Sequence, residues 1–272
     1  MFADTELAAR LEALAADSLR GLAATAATVD PDVGVASLDV AGGVAVYLGD
    51  DSPVNQAIGI GFAGGVSSEQ AAELEDFFGQ RGQQPLAVVS PLAHLSVLNR
   101  LAARGWVADG FENVLVREII GNECIDESRG VEVRLCEDED EKALWAQIAA
   151  IAFSSPLEPQ PQQFALSRVA ASRPGARLLL AYVDGRPAAC GELSVAGGVG
   201  WLSADGTLPH FRRRGAQQAL QAARLAISAE EGCDLAVTES IPGSLSQRNM
   251  ERAGFRVAYT RVDLILPKRK GS

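Results

Sequence analysis

Two kinds of apolar pattern alternate along this chain: residues spaced three or four apart, and short continuous runs bounded by turn residues. The first pattern predicts helices at 1–27, 67–81, 92–104, 137–151, 214–231 and 244–253. The second predicts strands at 54–60, 85–89, 131–135, 178–183, 187–195, 199–203, 235–238 and 255–266, and one that ends near Val116. A segment rich in Pro, Ser and Gln, 154–163, predicts a loop. Helices and strands mixed in this order predict an α+β (mixed α/β) fold.

The order of elements in the first half is repeated in the second. A strand, a helix and a glycine–aromatic pair (Gly105-Trp106) precede one strand, and the same series with Gly254-Phe255 precedes the closing strand. The two helices share a short sequence, Leu-Ser-x-x-Asn, at 95–99 and at 245–249. Between the halves lies a polar, glycine-bounded segment, 121–130, which is typical of a linker. The repeat predicts a duplicated domain, divided into 1–124 and 129–272.

Composition excludes several classes of partner. The 272 residues carry 24 Lys and Arg against 35 Asp and Glu, a net charge of −11, which disfavours a nucleic acid as partner. The sequence has no apolar run of the roughly 18 residues that span a bilayer, so no membrane partner is expected. The first residues lack the basic start and apolar centre of a secretory signal, which predicts a cytoplasmic protein. Four dispersed cysteines and two histidines predict no metal site.

One constellation of residues suggests a binding site for an anion. After a predicted strand and Pro209, the chain reads Arg-Arg-Arg-Gly-Ala-Gln at 212–217 and then enters its longest C-terminal helix. The first N–H groups of a helix have no partner within it and lie at the positive end of its dipole. Three arginines at that end oppose the dipole, and a diphosphate would satisfy both the arginines and the N–H groups.

These residues resemble the acyl-CoA-binding motif of the GCN5-related N-acetyltransferase (GNAT) family, Gln/Arg-x-x-Gly-x-Gly/Ala, with Gln217 in place of the last small residue. The resemblance covers about 131–267 and includes Pro209 and the Gly254-Phe255 pair. It implies tandem GNAT-like domains, each with a mixed, mostly antiparallel sheet flanked by helices, and acetyl-CoA as co-substrate. The residues that it implies for the diphosphate are Arg212, Arg213, Arg214, Gly215, Ala216 and Gln217; for the pantetheine arm they are Asp205, Gly206, Thr207, Ser246 and Asn249.

The first half resembles the same fold without this motif. Its equivalent segment, 64–70, has no arginine and includes Glu69, so we expect no second CoA site there. Residues 59–64 spell the dinucleotide pattern G-x-G-x-x-G, but the acidic residue that should follow the next strand is absent. We interpret the first half as a degenerate copy that supports the second half or shapes the acceptor pocket.

Acetyl transfer to an amine needs a base, because an ammonium group with a pKa near 10.4 is only about one part in a thousand neutral near pH 7. Candidate bases are Glu239, Glu192 and Asp205, each of which is otherwise a surface carboxylate; Glu239 is the first choice because it follows a strand beside the expected thioester. Many family members carry a tyrosine four residues before the Gly-Phe pair as proton donor, but this chain has Met250 there. Tyr259 is the substitute donor if its hydroxyl points inward, and a packing residue otherwise.

The sequence therefore predicts a GNAT-type acyltransferase that moves an acetyl group directly from acetyl-CoA to a primary amine. The expected partners are a small-molecule or peptide amine and, as an option, a second copy of the chain in a homodimer. Two alternatives stay open: a non-catalytic acyl-CoA-binding sensor or scaffold, suggested by Met250, and a pure interaction module without CoA affinity.

Overall fold

The computed structural model describes residues 4–121, 130–154 and 160–268. They form two compact units, one of residues 1–114 with 257–272 (unit 1) and one of residues 115–256 (unit 2). The helices are α1 Thr5–Val29, α2 Ser68–Gly79, α3 Ser96–Ala103, α4 Glu139–Ala152, α5 Pro161–Ala171, α6 Ala216–Glu230 and α7 Leu245–Arg252. The strands are β1 Ala36–Val40, β2 Gly43–Tyr47, β3 Ala57–Ile58, β4 Leu86–Val89, β5 Val107–Glu118, β6 Val131–Leu135, β7 Arg177–Val183, β8 Arg186–Ala196, β9 Val199–Thr207, β10 Leu235–Ser240 and β11 Arg256–Ile265.

Unit 1 has a mixed sheet in which β1, β2, β3, β4 and β11 follow one another. The β1–β2, β2–β3 and β4–β11 pairs are antiparallel, and only β3–β4 is parallel. Its core includes Leu74 and Phe78 of α2, Leu101 of α3, and Trp106. Although β11 is the last strand of the chain, Val262 to Ile265 pair with β4, so the chain returns to unit 1 at its end.

A buried ion pair holds this last strand against the first helix. The N-terminus of α1 is capped by Asp4, whose side chain accepts from the Leu7 N–H (2.8 Å), and a buried apolar stripe runs the length of the helix. Glu12 lies within that stripe and is 1% exposed. Its Oε1 accepts hydrogen bonds from Arg261 Nε (2.7 Å) and Tyr259 Oη (2.8 Å), and Arg261 Nη1 donates to Glu112 Oε2 (3.1 Å).

Unit 2 has the strand order β10, β9, β8, β7, β6, antiparallel except for the β10–β9 pair. Strand β7 is buried on both faces: Leu179 and Ala181 belong to the core that includes α6, and Leu178 and Leu180 to the core that includes α4. This is the alternation that a strand's two-residue period dictates. The sheet of unit 2 is therefore covered by α6 on one face and by α4 on the other.

The predicted α+β class is confirmed, and most predicted elements lie within a few residues of the observed ones. The sequence analysis missed β1, β2 and α5 and made β3 too long. Strand β1 has only one buried residue in five, so its apolar run is weak, and α5 begins at Pro161 in a segment whose composition predicts a loop. Most of the predicted linker lies outside the described residues, and the division into 1–124 and 129–272 stays a prediction. Within the described part of the chain, no helix combines the length and apolar character needed to cross a membrane.

We expect Glu12→Ala to lower the free energy of unfolding of unit 1 by about 3–5 kcal/mol, because it leaves the Arg261 guanidinium buried without its closest carboxylate. The matched control is Asp39→Ala, which removes an exposed ion pair with Arg20 (2.7 Å) in the same unit and should cost less than about 1 kcal/mol. Urea unfolding followed by circular dichroism measures both. Equal losses in the two variants would contradict a special role for the buried pair.

Candidate functional site

Strands β9 and β10 separate at their carboxyl ends. They run parallel and pair only over Val199–Trp201 and Leu235–Val237. Beyond Val237, β10 continues for three residues, to Ser240, and β9 runs on to Thr207. In sheets with parallel strands, ligands bind where the carboxyl ends of neighbouring strands diverge. The candidate site is therefore this edge of unit 2.

A β-bulge marks the place where β9 leaves β10. In the antiparallel register with β8, Cys190 lies opposite Gly206 and Glu192 opposite Ser203, so Gly191 faces two residues of β9. These are Ala204, which has a φ of +53°, and Asp205. Such a bulge adds one residue, bends the strand and increases its twist. The backbone of 205–207 takes its direction from this bend.

The same edge carries the N-terminus of α6, the helix for which the sequence predicts an anion site. A short 3-10 turn at Pro209–Phe211 leads into Arg212, and Gly215 (φ +86°) is the N-cap residue. Among the described residues no side chain caps α6, α3 or α5, whereas Asp4, Ser67, Asp138 and Ser244 cap α1, α2, α4 and α7. The first turn of α6 thus keeps N–H groups that a bound anion can satisfy.

The three predicted arginines differ in their surroundings. Arg212 Nε lies 3.4 Å from Thr207 O, at the end of β9. Arg214 forms a partly exposed ion pair with Asp184 of the β7–β8 turn. Its guanidinium and that of Arg186 lie 5.8 and 5.4 Å from the ring centre of Phe211. Arg213 is exposed and sits at φ +62°. Cationic groups therefore cluster at this turn in a chain whose net charge is −11.

The residues predicted to bind the pantetheine arm lie at the carboxyl end of β9 and in α7. Gly206 is in close contact with α4, since a Cβ there would lie 2.8 Å from Ala152 Cβ. The Asp205 carboxylate forms a buried ion pair with Arg224 of α6. Ser246 and Asn249 of α7 are half-buried. The structure thus brings the β9 residues and the α6 turn to one edge.

Met250, at the position of the family's tyrosine, is buried, and its sulfur accepts a hydrogen bond from Gln221 Nε2 (3.0 Å). It packs in the core formed with α6. A proton donor is absent at this position because a thioether has no proton to give.

The candidate acid–base residues have different partners. Glu192 is 3% exposed and forms an ion pair with Arg173 (3.1 Å), while Ser194 Oγ donates to its Oε1 (3.2 Å). Tyr259 belongs to unit 1, where its hydroxyl donates to Glu12. Glu239 is half-buried on β10, beyond the last residue that pairs with β9.

Sequence reasoning missed three residues beside the site. Ser240, the last residue of β10, has a buried hydroxyl that makes no hydrogen bond with any described residue. Ile241 and Leu245, between β10 and α7, are exposed apolar side chains, about 70% accessible. The sequence carries no signal for the Ser240 hydroxyl, because its lack of a partner depends on the tertiary environment.

Two thiols of unit 2, those of Cys136 and Cys190, are poor nucleophiles. Burial, with Glu141 and Asp138 nearby, raises the pKa of the Cys136 thiol to about 12, and burial also raises the pKa of the Cys190 thiol. Cys124 lies outside the described residues. Within the ranges that the structure describes, no group of three or more His, Cys, Asp or Glu side chains could hold a metal ion.

Comparison with known proteins gives matches only in structure. No model of a known protein family matches the chain, and no curated protein does. A GCN5-related N-acetyltransferase from Kribbella flavida matches with a TM-score of 0.67 at 21% identity, over 94% of this chain and 96% of that one. A tandem GNAT protein from the clavulanic acid biosynthesis pathway matches with a TM-score of 0.58 at 14% identity, over 87% and 85%. A putative GNAT-family acetyltransferase from Novosphingobium aromaticivorans matches at 0.51 and 18%, over 75% and 83%.

The chain has the tandem GNAT fold. The fold class predicted from the sequence is thus confirmed, including its two GNAT-like halves. At these identities the likeness concerns the fold, and the chemistry has to be argued from the residues of the site.

We expect Ser240→Ala to leave the free energy of unfolding unchanged or to raise it by up to about 1 kcal/mol, because it removes a buried hydroxyl that has no hydrogen-bond partner among the described residues. The control, Ser228→Ala, removes a buried hydroxyl that donates to Arg224 O (2.7 Å) and should cost about 1 kcal/mol. Thermal unfolding of both variants tests the difference. A loss for Ser240→Ala as large as that for Ser228→Ala would show that the hydroxyl is satisfied.

Proposed function

We propose that the protein is an N-acetyltransferase that moves the acetyl group of acetyl-CoA directly to a primary amine. The observation that carries the proposal is the edge of unit 2 where β9 and β10 separate beside an α6 N-terminus that no side chain caps. The proposal keeps the division of the chain into domains 1–124 and 129–272, and a cytoplasmic location.

The diphosphate of CoA would bind at the first turn of α6. Gly215 has no side chain to hinder a phosphate, and Ala216 adds only a methyl group. Arg212, Arg213 and Arg214 would add charge-assisted hydrogen bonds of about 1.5–3 kcal/mol each, less where a guanidinium stays exposed. Gln217 stands where the family motif has a small residue, so its side chain has to turn away from the diphosphate.

The pantetheine arm would lie between the diverging ends of β9 and β10. Backbone groups of 205–207 would bond its amides and polarise the thioester carbonyl, and Ser246 and Asn249 would line the α7 side. The thioester would then lie near the end of β10, which carries Glu239. This order follows from the diphosphate at α6, because the arm has to leave the helix along β9.

Glu239 would serve as the base. It would take a proton from the acceptor ammonium, directly or through water, and the neutral nitrogen would attack the thioester carbon. The C–S bond then breaks, its electron pair leaves with the thiolate, and the nitrogen gives its second proton to water or to the departing sulfur, which leaves the neutral amide. Glu239 is preferred for its position, beyond the last residue of β10 that pairs with β9 and next to the expected thioester. Glu192 and Asp205 form ion pairs with Arg173 and Arg224, and the Tyr259 hydroxyl donates to Glu12 in unit 1.

Direct transfer is favoured over an acyl-enzyme intermediate. An intermediate on cysteine needs a thiolate at neutral pH, and the raised pKa values of Cys136 and Cys190 keep both thiols protonated. The acceptor class rests on the fold alone: a polyamine, an aminoglycoside-like molecule, an amino acid and a protein terminus all present the required amine.

A second candidate function is that of an acyl-CoA sensor without turnover. Met250 favours it, because the departing thiolate has no tyrosine to protonate it. Incubation with acetyl-CoA and a panel of amines separates the two functions: released CoA thiol indicates transfer, and tight CoA binding without any release indicates a sensor.

We expect Arg214→Glu to weaken CoA binding at least about tenfold, because it replaces a cation at the diphosphate with an anion. Arg134→Glu is the matched control: it makes the same change in net charge at an exposed arginine of β6, paired with Glu132 (2.7 Å). Isothermal titration with CoA at fixed salt measures both dissociation constants. Equal weakening would indicate a non-specific charge effect and contradict the assigned site.

We expect Glu239→Gln to lower kcat by about 10²-fold or more and to leave the dissociation constant of CoA unchanged, because it removes a base that does not contact the diphosphate. The control is Tyr259→Phe, which removes only the hydroxyl that donates a hydrogen bond to Glu12. This variant should keep kcat per folded molecule. Thiol release with the most active amine measures both rates. A normal kcat for Glu239→Gln would move the role of base to another residue.

A further inference from the structure

The guanidinium of Arg224 is fully buried beneath the β9 bulge. Arg224 lies on α6 with 0% of its side chain exposed. Its Nη1 donates to Glu192 O (3.1 Å) on β8 and to Ser203 O (3.2 Å) on β9. Both of its terminal nitrogens bond the Asp205 carboxylate, and Nε donates to Leu220 O (3.1 Å). One side chain thus bonds β8, β9 and its own helix.

These acceptors lie where the bulge interrupts the sheet. A bulge leaves one residue of a strand unpaired and disrupts the ladder around it, and buried backbone carbonyls need partners. Arg224 supplies donors to the carbonyls of Ser203 on β9 and Glu192 on β8, the two residues of the pair that borders the bulge. A side chain of α6 therefore supplies hydrogen bonds to the backbone at the bulge.

Neighbouring residues fit the guanidinium. A Cβ at Gly191 would lie 3.0 Å from Arg224 Cζ, so a larger residue there would displace the side chain. The carbonyl of Gly191 accepts a hydrogen bond from Trp145 Nε1 (3.0 Å) of α4. The bulge is thus held from α6 by Arg224 and from α4 by Trp145.

Stability alone is a weak reason for such a pair. Well-packed apolar residues in place of a buried ion pair are often neutral or stabilising, because burial removes both charges from water. An apolar pair could fill this space, but it could not donate hydrogen bonds to the two carbonyls of the bulge. By donating these hydrogen bonds, Arg224 fixes the backbone geometry of residues 203–205.

We propose that Arg224, acting through Asp205 and the β9 bulge, is a positioning residue for the acyl donor. It holds the backbone of 205–207 in the direction that the pantetheine arm and the thioester require, and it does not touch the donor. This inference rests on the proposed function.

Two ligands, ADP and CoA, distinguish a positioning role of Arg224 from general damage to the structure of unit 2. ADP carries the adenosine diphosphate part of CoA without the pantetheine and the 3′-phosphate, so its affinity reports on the nucleotide end at the α6 turn, whereas CoA adds the arm. The 3′-phosphate is present in wild-type and variant measurements alike, so each variant is compared with the wild type for each ligand. We expect Arg224→Lys, which keeps the charge but loses the planar fork, to bind ADP as the wild type does, to bind CoA about tenfold more weakly, and to lower kcat/KM about 100-fold.

A second variant covers the case in which Arg224→Lys fails to fold. The double substitution Arg224→Met with Asp205→Ala removes the pair without leaving a lone buried charge, so it should keep most of the stability and show the same selective loss. The control is Arg177→Gln, which breaks the partly buried Arg177–Glu231 ion pair (2.5 Å) of unit 2 and should leave both affinities and kcat/KM unchanged.

The outcomes are distinct. Loss of CoA affinity and kcat/KM with unchanged ADP binding supports the inference. Wild-type CoA affinity and kcat/KM in the double variant overturn it, and so does a parallel loss of ADP and CoA binding, which would indicate damage to the whole unit. A wild-type protein that binds neither probe overturns the proposed function, and the inference falls with it.

Discussion

A strand that leaves its neighbour has to find new partners for its backbone, and this constraint shapes the candidate site. Strand β9 is parallel to β10 for three pairs and then turns away at a bulge. Water can satisfy the groups that reach the surface, but the carbonyls of Glu192 and Ser203 accept from Arg224, whose side chain is fully buried. The opening between the strands is thus held by polar contacts from a neighbouring helix.

The backbone N–H groups at the start of α6 also need hydrogen-bond partners, but no described side chain caps them. In the part of the chain that the structure describes, α1, α2, α4 and α7 have a side-chain cap and α3, α5 and α6 do not; α6 is the one of these three that begins at a left-handed glycine. The carbonyls of the bulge are therefore bonded by a side chain of the protein, whereas the proposal assigns the first N–H groups of α6 to a ligand. A donor with a diphosphate at one end and amides along its arm matches both places.

The sequence predicted the parts of this site that depend on local chemistry. The arginine–glycine turn, the helix after it and the end of β9 follow from residues close together in the chain. The partners of Glu12 and Arg224 could not be predicted, because Glu12 lies 249 residues from Arg261, and Asp205 lies 19 residues before Arg224 across a helix–sheet contact. A charged residue in an amphipathic helix is ordinarily on the solvent side, so both were indistinguishable from surface residues. The place of β11 in unit 1 could not be predicted either, because the residues of a strand do not determine which other strand it pairs with.

Unit 1 has a similar layout, but its own side chains cap the start of the corresponding helix. A loop and a helix, α2, connect its parallel strands β3 and β4, as α6 connects β9 and β10, but Ser67 and Gln70 form a capping box with each other's backbone N–H groups. The loop before α2 is bonded by its own chain: the Val66 N–H donates to Ser96 Oγ (2.7 Å), and Gly61 O accepts from the His94 N–H (3.0 Å). The N–H groups of Val66, Ser67 and Gln70, which a phosphate could otherwise bind, therefore already have partners within unit 1. The two halves therefore share a fold and differ in which backbone groups remain for a ligand, and this difference confines the proposed chemistry to unit 2.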